Sequence, residues 1–202
     1  MPKITSIEKY KGKTLKIELD EGEPLFIHSD VAAEFNLNKG LSVPEAAIEG
    51  VVHANDYRRA KERALYLLDE RDYSYVEMFK KLETSYSEDI CYEVLNRLCE
   101  LGCINDARYS LKLAEHFLVT KKFGYYRAKE EMRRRGISQE LIDTALEEYS
   151  QGSAERLAEV IQKKYARYLT DEKGVKKVKA ALVRLGYSFD DINSTLKEFM
   201  ED

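Results

Sequence analysis

Along the first 28 residues the apolar positions recur with a period of two. Leu15, Ile17 and Leu19 alternate with polar neighbours, and the polar stretches at Gly12 and at residues 20–23 set them apart from Ile4, Ile7 and Leu25-Phe26-Ile27. Alternation broken by turn residues predicts a small antiparallel β-meander. Ser29-Asp30 is then expected to cap a short helix running through Phe35, with Asn38-Lys39-Gly40 as its break. These elements make a first segment over residues 1–43. From Pro44, a favoured first helical residue, the pattern reads as helix to about Asp69, with Ala60, Ala64, Leu67 and Leu68 as its late apolar face. Its acidic early part, residues 45–59, is expected to be an exposed connector.

Beyond this helix the apolar spacing changes to three and four, and the pattern repeats. Ser87, Ser138 and Ser188 stand 51 and 50 residues apart, and each is followed by an acidic or amide first turn. The apolar series after them are Ile90, Val94, Leu95, Leu98; then Leu141, Ile142, Ala145, Leu146, Tyr149; then Ile192, Leu196, Phe199. Serine before acidic residues satisfies and complements the positive end of a helix, so three helices of one design are expected to begin there. Upstream of each lies a second helix, over 75–82, 126–135 and 175–185, and upstream again a third, over 57–70, 106–119 and 154–169. The chain is thus expected to be mainly α: three tandem three-helix repeats in a curved array, preceded by the meander. The connector helix with repeat 1 spans 44–104, repeat 2 spans 105–150 and repeat 3 spans 151–202. Units this small gain by stacking on their neighbours.

Composition supports the helical reading, with 10 Gly, 3 Pro and no Trp among 202 residues, 35% of them charged. The net charge of −4 is uneven: 14 basic side chains face 20 acidic ones up to residue 105, against 19 and 17 beyond it. Affinity for an anionic polymer is therefore expected in the second half. Cys91, Cys99 and Cys103 follow neither a disulfide framework nor the CxxC spacing of a zinc site; Cys91 and Cys99, at i and i+8, are expected to be buried thiols. No signal-peptide pattern and no long apolar run is present, so a cytoplasmic protein without a membrane span is expected.

At the midpoint, LGCINDARYSLKLAEHF compresses a helix stop and a restart. Gly102 suits a left-handed C-terminal cap, Asn105 or Asp106 can accept the first N–H bonds of the next helix, and Tyr109, Leu113 and Phe117 continue at four-residue spacing with Ala114 and Leu118. Chemistry at Asp106 and Arg108 would need a base, metal or nucleophile beside them, and the sequence offers none. Two basic segments carry more. VTKKFGYYRAKEEMRRR, residues 119–135, holds seven cationic and two acidic side chains interleaved with Phe123, Tyr125 and Tyr126. Residues 163–184 hold eight and two, with Tyr165 and Tyr168. Lys122, Lys129 and Arg133, and likewise Lys176 and Lys179, are spaced to share a helix side. Such segments either neutralise phosphates while aromatics stack on unpaired bases, or are solvated helix faces. GxxxxGK[ST], GxGxxG and HExxH are missing, so no nucleotide hydrolysis, zinc hydrolysis or cofactor is expected.

The repeat, with LGCINDARYS, GYYRAKEEMRRRGIS and LIDTALEEY, resembles the RecX family, bacterial regulatory proteins that act on the RecA recombinase. Gly102, Asp106, Arg108, Tyr109, Gly124 and Gly136 match the family's structural motif, while Asn105 stands where an acid is usual and Ala107 where Glu is frequent. FNLNKG resembles an extension of some Gram-positive members. The resemblance implies a non-enzymatic regulator, monomeric and cytoplasmic, which binds RecA filaments on single-stranded DNA and opposes their activity in recombination and repair. Lys121, Lys122, Arg127, Lys129, Arg133, Arg134, Arg135, Lys176, Lys177 and Lys179 are the candidate contacts to RecA or DNA. A helical DNA-binding protein independent of RecA is the alternative.

Overall fold

The structure, a computed structural model, describes residues 1–201; Asp202, the last residue of the expected third repeat, lies outside them. The chain divides into two compact units: Met1–Arg71 with Phe79–Leu101, and Asp72–Met78 with the chain from Gly102 onward.

In the first unit, β1 (Ile4–Lys11), β2 (Thr14–Leu19) and β3 (Leu25–His28) form an antiparallel sheet in that order. Ile7 pairs with Ile17, Ile17 with Leu25 and Leu15 with Ile27, so the period-two residues share one face. There Ile4, Ile17 and Ile27 are buried with Val31, Val43 and Val51. Helix α1 (Ser29–Glu34) starts at the sheet's edge: His28, not Ser29 or Asp30, is its N-cap, and the His28 ring accepts the Asp30 N–H at 3.1 Å. The last residue of β3 thereby doubles as the cap.

Pro44, with ψ of 148°, stands at the cap position, and α2 (Glu45–Glu70) begins one residue later. Its early part is not an exposed connector. Val51 is buried against the sheet, with Ile48 and Ala54 packed beside it. Asn55, also buried, accepts the His28 N–H at 2.9 Å and donates to the Phe26 carbonyl at 3.3 Å. A scattered apolar set on an acidic stretch is enough to seat a helix when a buried amide pairs with strand backbone. Helix α3 (Tyr75–Leu82) follows, then α4 (Glu88–Glu100), which packs on α2 and buries Ile90, Cys91, Val94, Leu95 and Leu98. Cys99 is exposed, contrary to expectation, because eight residues at about 100° each leave it about 80° from Cys91 around the helix.

The second unit holds two three-helix groups. One comprises α5 (Asp106–Ala114) with a π-helical turn at Glu115–Thr120, α6 (Tyr125–Arg134) and α7 (Gln139–Glu148). Tyr109, Leu113, Phe117, Met132, Ile142 and Leu146 fill its core. The other comprises α8 (Ser153–Val160), a π-helical turn at Ile161–Tyr165, a 3₁₀ turn at Ala166–Tyr168, α9 (Glu172–Arg184) and α10 (Phe189–Glu201), around Leu157, Ile161, Leu182, Ile192 and Leu196. The helix expected over 106–119 therefore widens before it ends, and the one expected over 154–169 widens and then tightens into the 3₁₀ turn. Helix α9 starts three residues before the expected 175 because Asp171 caps it, accepting the Gly174 N–H at 2.6 Å. Ser138 and Ser188 accept N–H groups from Leu141 and Asp191, as their helix-start role requires; Ser87 stands at its cap without such a bond. Among the described residues no helix is long and apolar enough to cross a membrane.

Candidate functional site

Two joints organise the second unit. At the first, the opening turn of α3 seats on α5 and the α6–α7 loop. Ser74 and Glu77 form a reciprocal capping box: the Glu77 N–H donates to the Ser74 hydroxyl at 3.0 Å, and the Ser74 N–H to Glu77 Oε2 at 3.2 Å. Ser74 Oγ also donates to the Arg135 carbonyl. Asn105 caps α5, accepting the Arg108 N–H at 2.8 Å, which leaves Asp106 for a different task. Its Oδ1 accepts the Tyr75 N–H at 2.9 Å, so it caps α3, 31 residues earlier in the chain. Arg135 completes the joint, its guanidinium 3.1 Å from the Tyr109 hydroxyl and 3.4 Å from Glu77. Gly136, at φ +76°, lies so close to Val76 that an added Cβ would come within 2.4 Å of its Cβ.

Arg108 donates to the Gly102 carbonyl at 3.3 Å, and Arg156, at the corresponding place in α8, to the carbonyls of Tyr149 and Gln151. Each arginine fastens the turn that precedes its helix. The bonds of Asp106 to the Tyr75 N–H and of Arg108 to the Gly102 carbonyl are geometric ones, and among the described residues no metal-binding group is present.

Burial raises the Asp106 carboxyl above the usual carboxylate range and the charge of Glu77 adds to this, while the Tyr75 N–H opposes it. A raised folded-state value means the ionised form is disfavoured, so this group's contribution to stability is full at acid pH and declines as pH rises through that value. Asp106→Ala is expected to cost about 1–2 kcal/mol by leaving the Tyr75 N–H unmet. Asp106→Asn keeps an acceptor without the charge, and should stay within about 0.5 kcal/mol of the parent at neutral pH with a flatter pH profile. Denaturant titrations of both variants across pH check this; equal losses for Asn and Ala would refute the acceptor role.

The second joint seats α6 on the α9–α10 loop. The Gly124 N–H donates to the Leu185 carbonyl at 2.8 Å and the Tyr126 N–H to the Gly186 carbonyl at 3.1 Å, satisfying first-turn donors that α6 cannot pair itself. The buried Tyr187 hydroxyl, its pKa pushed up to about 12 by desolvation, donates to the Lys122 carbonyl at 3.0 Å. A Cβ on Gly124 would approach the Gly186 carbonyl and the Tyr187 nitrogen to 2.3 Å, and one on Gly186 would meet the Arg127 nitrogen at 2.4 Å.

Most candidate cations are committed within the chain. Lys122 is not on a face shared with Lys129 and Arg133: it precedes α6 at φ +56°, and its ammonium pairs with Glu159 at 2.9 Å. Glu159 also takes Lys163 at 2.6 Å, and the two ammonium groups hold its carboxyl down to about 2. Arg127 lies over the Phe123 ring, 3.9 Å from its centroid. Lys129 pairs with Asp143 at 3.0 Å; Arg133 pairs with Glu130 and hydrogen-bonds Gln139, and Arg134 pairs with Glu130 and Glu131. Lys176 pairs with Glu172, and Lys179 bonds Asn193. Lys121 and Lys177 have no ion-pair partner among the described residues.

Lys177 stands beside a cleft of about 400 Å³ where the 3₁₀ turn meets the start of α9. Arg167 and Lys173 share its rim, the half-exposed Tyr168 forms one wall, and Tyr165 and the buried Val178 line it. Arg167 donates to the Tyr168 hydroxyl at 2.7 Å and lies 4.8 Å from that ring's centroid. Its one carboxylate, Asp171, holds the Gly174 N–H. Arg167 escaped the sequence reading because residues 154–169 looked like unbroken helix, and Lys173 because the next helix was expected only from 175. Their signal was there in the basic run with two tyrosines, but not their convergence.

The family description "RecX, second three-helix domain" matches residues 105–146, and "RecX, third three-helix domain" matches residues 153–196. A protein named Regulatory protein RecX from Staphylococcus saprophyticus is 30% identical over 208 residues, covering 98% of this chain and 75% of the relative. Its namesake from Clostridioides difficile is 25% identical, covering 98% of this chain and 95% of its own. A solved structure described as a crystal structure of regulatory protein RecX superposes with a TM-score of 0.73 at 25% identity, over 98% of this chain and 100% of the other.

Proposed function

Because the chain belongs to the RecX family, we propose that it is a regulator of the RecA recombinase that binds RecA filaments on single-stranded DNA and restrains their ATP hydrolysis and strand exchange. The observation that carries this reading is similarity along almost the whole chain, N-terminal sheet included, to proteins named as regulators. The chain acts as a cytoplasmic monomer without a cofactor and without chemistry of its own. Asp106 and Tyr109 bond within the first joint and Arg108 fastens the turn before α5, which supports a binding role over a catalytic one.

Added to the cognate RecA on single-stranded DNA, the protein is expected to lower the steady rate of ATP hydrolysis and of strand exchange in a saturable way. An unchanged rate at saturating protein would overturn the reading. The alternative, a helical protein that binds DNA without RecA, draws its support from the cationic cleft beside Tyr168. Tight, salt-sensitive binding to bare DNA together with indifference to RecA would favour it.

A further inference from the structure

We infer that the cleft between the 3₁₀ turn Ala166–Tyr168 and the start of α9 seats one nucleotide of an unpaired nucleic-acid strand, its phosphate among Arg167, Lys173 and Lys177 and its base against Tyr168. The inference deepens the filament reading above and relies on it for where the strand comes from.

Charge is the first ground. In a chain whose basic helices neutralise their own cations, Lys173 and Lys177 have no ion-pair partner among the described residues, and Arg167 is engaged only with the neighbouring tyrosine. Three cations at one rim face a single carboxylate, Asp171, whose Oδ1 is held by the Gly174 N–H. The local balance favours an anion, and an anion carried on a polymer gains further by releasing condensed counterions.

Shape is the second ground. Tyr168 offers a half-exposed aromatic face, and Tyr165 and Val178 give the cleft an apolar lining, features that a phosphate alone has no use for. A planar base does, since ring-on-ring stacking tolerates any base. The Arg167 guanidinium, already beside the ring, can bond a phosphate while keeping one face on it. The cleft volume of about 400 Å³ falls in the range of small-ligand sites, roughly 300–1,000 Å³.

Rigidity is the third. A Cβ on Gly174 would lie 1.9 Å from the Tyr168 carbonyl oxygen, so the wall bearing Tyr168 rests directly on the first turn of α9. The backbone that carries Tyr168 and the first turn of α9 are therefore set against each other before any ligand arrives, which limits the ordering cost of binding to the side chains.

The test uses the full chain and a fluorescently labelled oligothymidylate, read by anisotropy across a salt series, with no RecA present. The parent should bind it with a steep salt dependence. The triple variant Arg167→Ala, Lys173→Ala, Lys177→Ala should bind at least tenfold more weakly, with a salt slope lower by about 0.7, as expected when one single-strand phosphate contact is lost. Tyr168→Ala should weaken binding about tenfold and Tyr168→Phe hardly at all, a contrast that loss of charge alone would not give. All four positions are at the surface, and unchanged melting of each variant is checked first; Lys177→Gln replaces the triple variant if that one melts early. Parent-like binding by the triple variant would overturn the inference. So would thymidine monophosphate or a polyglutamate peptide competing as well as the oligonucleotide, since a free nucleotide or an acidic chain would then be the better occupant. RecA-dependent ATP hydrolysis, measured separately with the parent, keeps the two readings apart. A parent that restrains RecA while its cleft variants bind DNA normally defeats the cleft alone. A parent without effect on RecA, whose cleft variants lose DNA, defeats the filament reading alone.

Discussion

Gly186→Ala is expected to cost about 3 kcal/mol or more and to lower the melting temperature by roughly 6–12 °C. Two effects combine there. Gly186 sits at φ +91°, where an L side chain is strained by roughly 1–2 kcal/mol, and its new methyl group would lie 2.4 Å from the Arg127 backbone nitrogen. The neighbours that would have to yield are backbone atoms at the start of α6, pinned by the bonds from Gly124 and Tyr126. Gly124→Ala isolates the steric part, because Gly124 has an ordinary φ of −76° yet its added Cβ would lie 2.3 Å from the Gly186 carbonyl. Gly102→Ala isolates the strain, since its φ is +69° and nothing lies within 4 Å. The expected order of loss is Gly186, then Gly124, then Gly102. Thermal melts followed by circular dichroism decide it, and a Gly124→Ala protein melting with the parent would mean that the joint does not close as described.

Reversing Arg135 should destabilise the protein by about 2 kcal/mol, while reversing Arg133 or Arg134 should leave stability within about 0.5 kcal/mol. The three arginines are consecutive in sequence but not in environment. Arg133 and Arg134 have side chains 58% and 67% exposed and pair with acids of their own helix, an arrangement worth little. Arg135 is a third exposed and bonds both Glu77 and the Tyr109 hydroxyl. Arg135→Glu would set a carboxylate against Glu77, beside an Asp106 that burial already disfavours as an anion. Any loss of RecA or DNA binding on changing all three together would therefore mix a structural effect with a contact effect. Single reversals, with denaturant midpoints measured beside binding, separate them; equal midpoints for the three would remove Arg135 from the joint.

How far the sequence carried depended on range. Patterns closed within a few residues were legible: the period-two strands, the serine helix starts, and the run from Tyr109 to Phe117 that fills one core. Asn105 and Asp106 show where this stops. Both were readable as caps for the same helix, yet one caps α5 and the other caps α3, because the second bond joins positions whose spacing encodes nothing. Cys99 and residues 45–59 failed for a related reason, since burial depends on what a face meets. In the basic segments the charges were legible but not their partners: Glu130, Glu131, Asp143 and Glu159 pair with cations that looked available, while Arg167, in a turn that the helical pattern concealed, converges with Lys173 and Lys177 of α9.

The second joint also bears on the order in which the chain can become structured. Synthesis runs from the N-terminus, and every residue of α6 has left the ribosome well before Leu185, Gly186 and Tyr187 exist. Until they do, the Gly124 and Tyr126 amides have no partners, and Lys122 must hold its left-handed conformation without the Tyr187 hydroxyl on its carbonyl, 65 positions away. The middle group thus completes the bonding at the start of α6 only when the last group is present, which couples the folding of the two.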